Sequence, residues 1–331
     1  MSRRAANFFG GRSRDGYNGR HMRARFALAV VLMLVAAAPV WAQNHTDRPL
    51  ALGAEAALLL DANGKVLYAK NATEDHAPAS LVKLMTLYLA CEAIEAERAQ
   101  WDDAVVISER AAQTARYRMG LRAGDSVPLR ILLEGVAIAS ANDAATAVAE
   151  HLAGTEDAFV AEMNAKAREL GLSSTHFANA HGLPDPGGYS TAADLASLIR
   201  RLIVDYPVSR ALLGGVTFVY RSRVYSRSIP LFRNPGGVQA LKTGFTRAAG
   251  YNLAVAAWRA DERFVLIVLG AQTRSQSYRD ARSLLAYGFQ ETGLQMPPDP
   301  APRHAVQHRR AIERRRRASL PAIRNPRPRA R

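Results

Sequence analysis

At 331 residues, 48% of them hydrophobic and 22% charged, the chain can form one large or two ordinary domains around a substantial core. Its one cysteine, Cys91, excludes an intrachain disulfide and reads as core filler. The formal net charge of +15 gathers at the ends, about +6 up to Arg25 and about +10 from Ala301 on, so the high pI is no ground for nucleic-acid binding.

Arg20, Arg23 and Arg25 precede the apolar run Phe26 to Ala38, and Val40-Trp41-Ala42 follows with small residues where a signal peptidase cuts. Residues 1–42 are expected to be an export signal, with a mature start at Gln43. The run falls short of the ~20 apolar residues of a membrane span, although an uncleaved anchor is the alternative reading. Met22 stands beside Met1 as a candidate initiator. Ala56 to Asn71 has two apolar runs around Asn63-Gly64 and predicts a β-hairpin. Pro78-Ala79 leads into Ser80 as a helix start, and Leu81, Leu84, Met85, Tyr88 and Leu89 follow at helical spacing. A second helical stretch, Val127 to Ala139, breaks at Ser140-Ala141-Asn142 and resumes from Asp143. Another helix is predicted over Thr191 to Val204. The period then changes to two: a strand pair within Gly215 to Ser228, a strand carrying Lys242-Thr243-Gly244 after a turn at Asn234 to Gly237, and two strands within Gly250 to Ala271. Ser283 to Phe289 closes with a helix. Strands at both ends and helices between predict an α+β fold, an antiparallel sheet whose first and last segments meet, with a helical subdomain inserted. The folded domain is expected over residues 43–294. From there the composition turns to Pro and Arg, and residues 295–331 read as a disordered basic tail.

Ser80 and Lys83 stand three residues apart, one turn along a helix face. A serine hydroxyl needs a base beside it, and a lysine serves only if desolvation or a second cation lowers its pKa. Leu81, Val82, Leu84 and Met85 offer the desolvation. By itself the pair is a common coincidence. Ser140-Ala141-Asn142 and Lys242-Thr243-Gly244 change that, because S-x-x-K, S-D-N and K-T-G in this order form the signature of penicillin-binding proteins and class A β-lactamases, matched here with alanine in the middle of the second.

The chain resembles the low-molecular-mass penicillin-binding proteins, the D-alanyl-D-alanine carboxypeptidases, on the stretches "ASLVKLMT", "ASANDAA", "FANAHGLPDPGGYSTAADLA" and "LKTGFTRAAGYNL". No E-x-x-L-N stretch supplies the deacylating glutamate of a class A β-lactamase. The resemblance implies a β-lactamase/transpeptidase-like fold and a serine-type carboxypeptidase acting on peptidoglycan stem peptides. It implies that Ser80 is the nucleophile and Lys83 its base. Ser140 and Lys242 pass the proton to the departing amine. Asn142, Lys242, Thr243 and Gly244 belong to the substrate site, and the N–H groups of Ser80 and Phe245 form the oxyanion hole. β-Lactam antibiotics are implied as acylating inhibitors, and no metal or organic cofactor is implied. Phe245 departs from the histidine several family members carry there. Either Arg274 or Arg279 is expected to help bind the substrate carboxylate. Neither the β-rich second domain nor the amphipathic C-terminal helix of larger relatives is expected in these 331 residues.

His181 is assigned a structural role, Asp143 and Asp194 read as caps or surface residues, and Trp101 and Trp258 as packing. The arginine tail has three readings: inert, drawn to an anionic membrane surface, or bound to nucleic acid, which export disfavours. The expected location is the periplasm or cell envelope. Two other functions stay open: a D,D-endopeptidase on cross-links, and a non-catalytic penicillin-binding or envelope-tethering module.

Overall fold

The structure, a computed structural model, describes residues 50–233 and 237–295. The expected export signal and arginine tail, and most of the turn before Lys242, lie outside these residues. Five antiparallel strands form the main sheet in the order β2-β1-β9-β8-β7. They are β1 (Ala56–Leu60), β2 (Val66–Lys70), β7 (Val238–Thr246), β8 (Gly250–Arg259) and β9 (Glu262–Ala271). The first hairpin therefore pairs with the last strands, as the α+β reading requires, with Leu58 opposite Ile267.

Alternation along these strands builds two cores. Ala56, Leu58, Val265, Ile267 and Leu269 face one way, into the helical region. Ala57, Leu59, Phe264, Leu266 and Val268 face the other. Successive side chains of a strand point to opposite faces, so a strand covered on both sides is apolar throughout.

The helical layer lies between β2 and β7 in sequence. It comprises α1 (Lys83–Glu95), β3 (Ala104–Val106), α2 (Glu109–Gln113), β4 (Ser126–Pro128), α3 (Leu129–Glu134), α4 (Asn142–Ala153), α5 (Glu156–Glu169), α6 (Ala192–Asp205) and α7 (Ser209–Gly214). The hairpin β5 (Thr217–Tyr220) and β6 (Arg223–Ser226) and the short α8 (Pro230–Arg233) follow. Leu195, Ile199 and Leu202 of α6 pack on the first core, and Ala281, Leu285 and Phe289 of α9 (Arg274–Glu291) on the second.

Several local expectations change. The first hairpin is closed by a five-residue loop, in which the Asp61 carboxylate accepts from the N–H groups of Asn63 and Lys65 and only Gly64 has positive φ, 85°. Helix α9 starts at Arg274, well before Ser283, because Thr273 caps it by accepting from Gln276 N–H; its first turns are polar and carry little periodicity. Helix α5 was not anticipated. Its start is Thr155, whose side chain accepts from Ala158 N–H ahead of Glu156 and Asp157, an N-cap signal followed by first-turn acids.

Candidate active site

Ser80 lies in a single 3-10 turn, Ala79–Val82, rather than in the α-helix itself. Side chains three apart eclipse in that geometry. Lys83 Nζ accordingly stands 3.3 Å from Ser80 Oγ. The turn is pinned from the sheet. Asn252 of β8 donates from Nδ2 to the carbonyls of Ala77 and Pro78, and its Oδ1 accepts from Gly270 N–H.

Lys83 is fully buried at the start of α1. Its amine donates to Asn142 Oδ1 at 2.7 Å and to the carbonyl of His181. Burial pulls its pKa down to about 7, against the opposing pull of the Asp143 carboxylate. A neutral lysine has two N–H bonds and one lone pair. Asn142 and His181 supply two acceptors, which leaves the lone pair for the Ser80 hydroxyl proton.

The carbonyl of His181 is held by its surroundings. Leu183 N–H donates to His181 Nδ1, which fixes the neutral ring's proton on Nε2, 3.4 Å from the Glu156 carboxylate. Burial lowers the ring pKa to about 4. Gly182 has φ of 80°, and a Cβ there would stand 2.0 Å from the Ala79 carbonyl oxygen, so the His-Gly-Leu loop closes directly on the nucleophile turn. His181 thus acts through its backbone, in keeping with a structural role.

Helix α3 runs into a π-turn, Gly135–Ala139, that ends at Ser140 with φ of 55° and ψ of 35°. This left-handed residue aims Ser140 Oγ at Lys242 Nζ, 2.8 Å away. Asn142 opens α4, and its Nδ2 donates to the carbonyls of Ala115 and Arg116. Asp143 proves to be neither a simple cap nor a surface residue. It is fully buried, and its carboxylate accepts from the N–H groups of Met119, Gly120, Leu121 and Ala144. Asp194 likewise turns inward, accepting from Ser174 N–H and the Thr175 hydroxyl.

Lys242, Thr243, Gly244 and Phe245 lie along β7. A Cβ on Gly244 would stand 3.2 Å from Ser80 N, so the glycine lets the strand pass close against the turn. Lys242 is buried, and burial, Lys83 and Arg227 together depress its pKa well below the lysine range. Phe245 is exposed and packs on Tyr251, ring centroids 4.3 Å apart.

Arg227 was not singled out from the sequence. Its guanidinium donates to four carbonyls, those of Gly215, Ala137, Leu241 and Leu213, and burial lowers its pKa to about 10. It ties the π-turn before Ser140 to the strand residue before Lys242. An arginine in "YSRS" carries no pattern that distinguishes it from a surface residue.

A cavity of about 470 Å³ opens beside Ser80 and is lined by Ser140, Thr243, Gly244 and Phe245. Arg274 lines it and Arg279 does not. The structure thus links Ser80, Lys83 and Asn142 in one hydrogen-bonded chain and Ser140 and Lys242 in a second, both beside this cavity. Among the described residues no cluster of His, Cys, Asp and Glu could hold a metal ion.

The profile of the D-alanyl-D-alanine carboxypeptidases matches residues 42–273. The chain belongs to this family. It is 36% identical over 288 residues to the D-alanyl-D-alanine carboxypeptidase DacC of Escherichia coli, covering 84% of this chain and 72% of that protein. It is 35% identical over 273 residues to DacF of Bacillus subtilis, covering 80% and 70%. Penicillin binding protein 6B from Escherichia coli superposes with a TM-score of 0.71 at 34% identity, over 74% of this chain and 80% of that one. Penicillin-binding protein D2 from Listeria monocytogenes, solved with cefotaxime bound, gives 0.63 at 33% identity, over 72% and 98%. The family's fold is the β-lactamase/transpeptidase-like one expected from the motifs.

Proposed function

We propose that Ser80 carries out acyl transfer with Lys83 as its base. The chain is a serine-type D-Ala-D-Ala carboxypeptidase, a peptidase that removes the terminal D-alanine from peptidoglycan stem pentapeptides. The observation that carries the assignment of roles is the pair of acceptors on Lys83, Asn142 Oδ1 and the His181 carbonyl, which turns its lone pair toward Ser80. Neutral Lys83 takes the hydroxyl proton as Oγ attacks the carbonyl between the two D-alanines. The N–H groups of Ser80 and Phe245 receive the oxyanion.

The departing amine takes its proton from Ser140, which is resupplied by Lys242. In the free enzyme the buried Lys242 sits beside Lys83 and the Arg227 guanidinium and holds its proton weakly. The substrate carboxylate, arriving at Thr243, Lys242 and Arg274, restores the charge on Lys242. A cation there pushes the Lys83 pKa further down, so the anionic substrate primes the base. Water then hydrolyses the acyl-enzyme, and β-lactams acylate Ser80 by the same route.

Export by residues 1–42, a catalytic domain over residues 43–294 and a basic tail over residues 295–331 complete the proposal. It places the enzyme at the cell envelope, with about 1 kcal/mol per tail arginine near an anionic surface. Tail deletion that leaves vesicle binding unchanged at low salt removes the membrane role. Incubation with a stem pentapeptide tests the reaction: one D-alanine is released per peptide, and Ser80→Ala releases none. D-Alanine release by the Ser80→Ala protein would refute the assignment.

A further inference from the structure

The cavity beside Ser80 is more cationic than a single D-alanine needs. Arg118, Arg223, Arg227 and Arg274 line it, and no Asp or Glu does. Arg227 is occupied by four carbonyls. Arg274 serves the terminal carboxylate in the reading above. Arg118 and Arg223 remain, exposed and without a carboxylate partner among the described residues. Among the described residues the Arg118 guanidinium donates only to the Ala112 carbonyl, at 3.3 Å, and the Arg223 guanidinium lies 4.8 Å over the ring of Tyr225. Their neighbour Arg221 is different, paired with Asp125.

The segments that carry the two arginines are bonded to each other. The carbonyl of Tyr117 accepts from Asn142 N–H, and the carbonyl of Met119 accepts from the Tyr225 hydroxyl. Arg118 is therefore anchored on both sides, to α4 and to β6, and Asp143 clamps the N–H groups that follow. Tyr225 carries Arg223 on its ring and binds the loop of Arg118 through its hydroxyl. Strand β6 packs on the π-turn, and Ile138, Ala139 and Ser140 line the cavity together with the two arginines. Ser140 delivers the proton to the departing amine, so the space beyond it holds the leaving group.

We propose that Arg118 and Arg223 form a second carboxylate subsite on the leaving-group side, so that leaving residues bearing a second carboxylate are preferred. This rests on the reading of Ser140 and Lys242 given above. The bond broken is the same amide: its carbonyl carbon gains the hydroxyl of water, and the departing nitrogen gains a proton. The ligand is either an acidic terminal residue of a single stem peptide or the amine-side residue of a cross-link with its free carboxylate.

The test compares kcat/KM for diacetyl-L-Lys-D-Ala-D-Glu and diacetyl-L-Lys-D-Ala-D-Gln, which differ in charge and hardly in shape. Solvated ion pairs of this kind predict a D-Glu preference of roughly fivefold or more at low salt, shrinking as salt is added. The double variant Arg118→Ala/Arg223→Ala should bring the ratio to about one, and Arg118→Glu/Arg223→Glu below it, since the ratio cancels any loss common to both peptides. Calorimetric binding of both peptides to the Ser80→Ala protein reads the same preference without turnover. A preference in binding with no hydrolysis by the wild type would keep the subsite and reject the hydrolytic reading. A cross-linked dimer with its amine-side carboxylate free, compared with the same dimer amidated, separates the two ligand sources. Equal values across both pairs, or a preference that survives the double variants, would overturn the proposal.

Discussion

Asn142→Asp tests whether Lys83 is a base whose charge state controls acylation. The substitution puts a carboxylate oxygen where the amide oxygen now sits, 2.7 Å from Lys83 Nζ. At an effective dielectric constant near 20, that ion pair has a gross Coulomb energy of about 6 kcal/mol. Desolvation of the new carboxylate opposes it, and so does loss of the two N–H donors to the Ala115 and Arg116 carbonyls. A net rise of about two pH units remains, at about 1.4 kcal/mol per unit. The Lys83 limb should move from about 7 to roughly 9, so acylation near neutral pH falls roughly 50-fold and recovers in alkali. The assay is the second-order rate of acylation by a fluorescent penicillin as a function of pH. Linkage offers a second readout. Wild-type Lys83 binds its proton less tightly folded than unfolded, so its contribution makes stability rise with pH between about 7 and the model-peptide value of 10.5. The variant narrows that window. A limb that stays near about 7 while the rate drops equally at every pH would refute the reasoning.

Three other expectations follow from packing and exposure. Gly182→Ala forces a side chain into left-handed backbone, costing about 1–2 kcal/mol, and drives a Cβ at 2.0 Å into the Ala79 carbonyl. Thermal unfolding should fall by several degrees, and a ~1 Å shift of the Ser80 turn should slow acylation roughly 100-fold. Arg274→Ala should raise KM for a D-Ala-D-Ala peptide about tenfold, whereas Arg279→Ala, outside the cavity, should change it little; steady-state kinetics on both variants decides. Cys91 is buried and its thiol is pushed up to about 12 by desolvation, so native protein should resist a thiol reagent and react only once unfolded.

Much of the fold was readable because the strands are long and apolar on both faces, so β1, β8 and β9 stand out as runs bounded by turns. The helical layer was harder. Helix α1 is buried almost all round, yet Leu84, Met85, Tyr88 and Leu89 still mark it. The first half of α9 is polar, so only its apolar second half registered. The site was legible where chemistry is written in side chains: Ser80, Lys83, Ser140, Asn142 and Lys242 stand in short ordered motifs. It was not legible where the backbone does the work. The His181 carbonyl on Lys83, the Gly182 approach to Ala79 and the left-handed Ser140 depend on three-dimensional closure that no local spacing encodes. The burial of Asp143 is illegible for a related reason. Its four partners are backbone N–H groups, three of them on a loop more than twenty residues away. Asn252 and Arg227 also bind carbonyls distant in sequence.

The most direct test of the central claim is to locate the acyl group. Purified protein is incubated with a penicillin, quenched in acid, digested and mapped by tandem mass spectrometry. The account predicts one adduct per chain, on Ser80, absent from Ser80→Ala and, near neutral pH, slowed by three or more orders of magnitude in Lys83→Ala, which lacks the base. An adduct on any other residue, or acylation of Lys83→Ala at the wild-type rate, would contradict it.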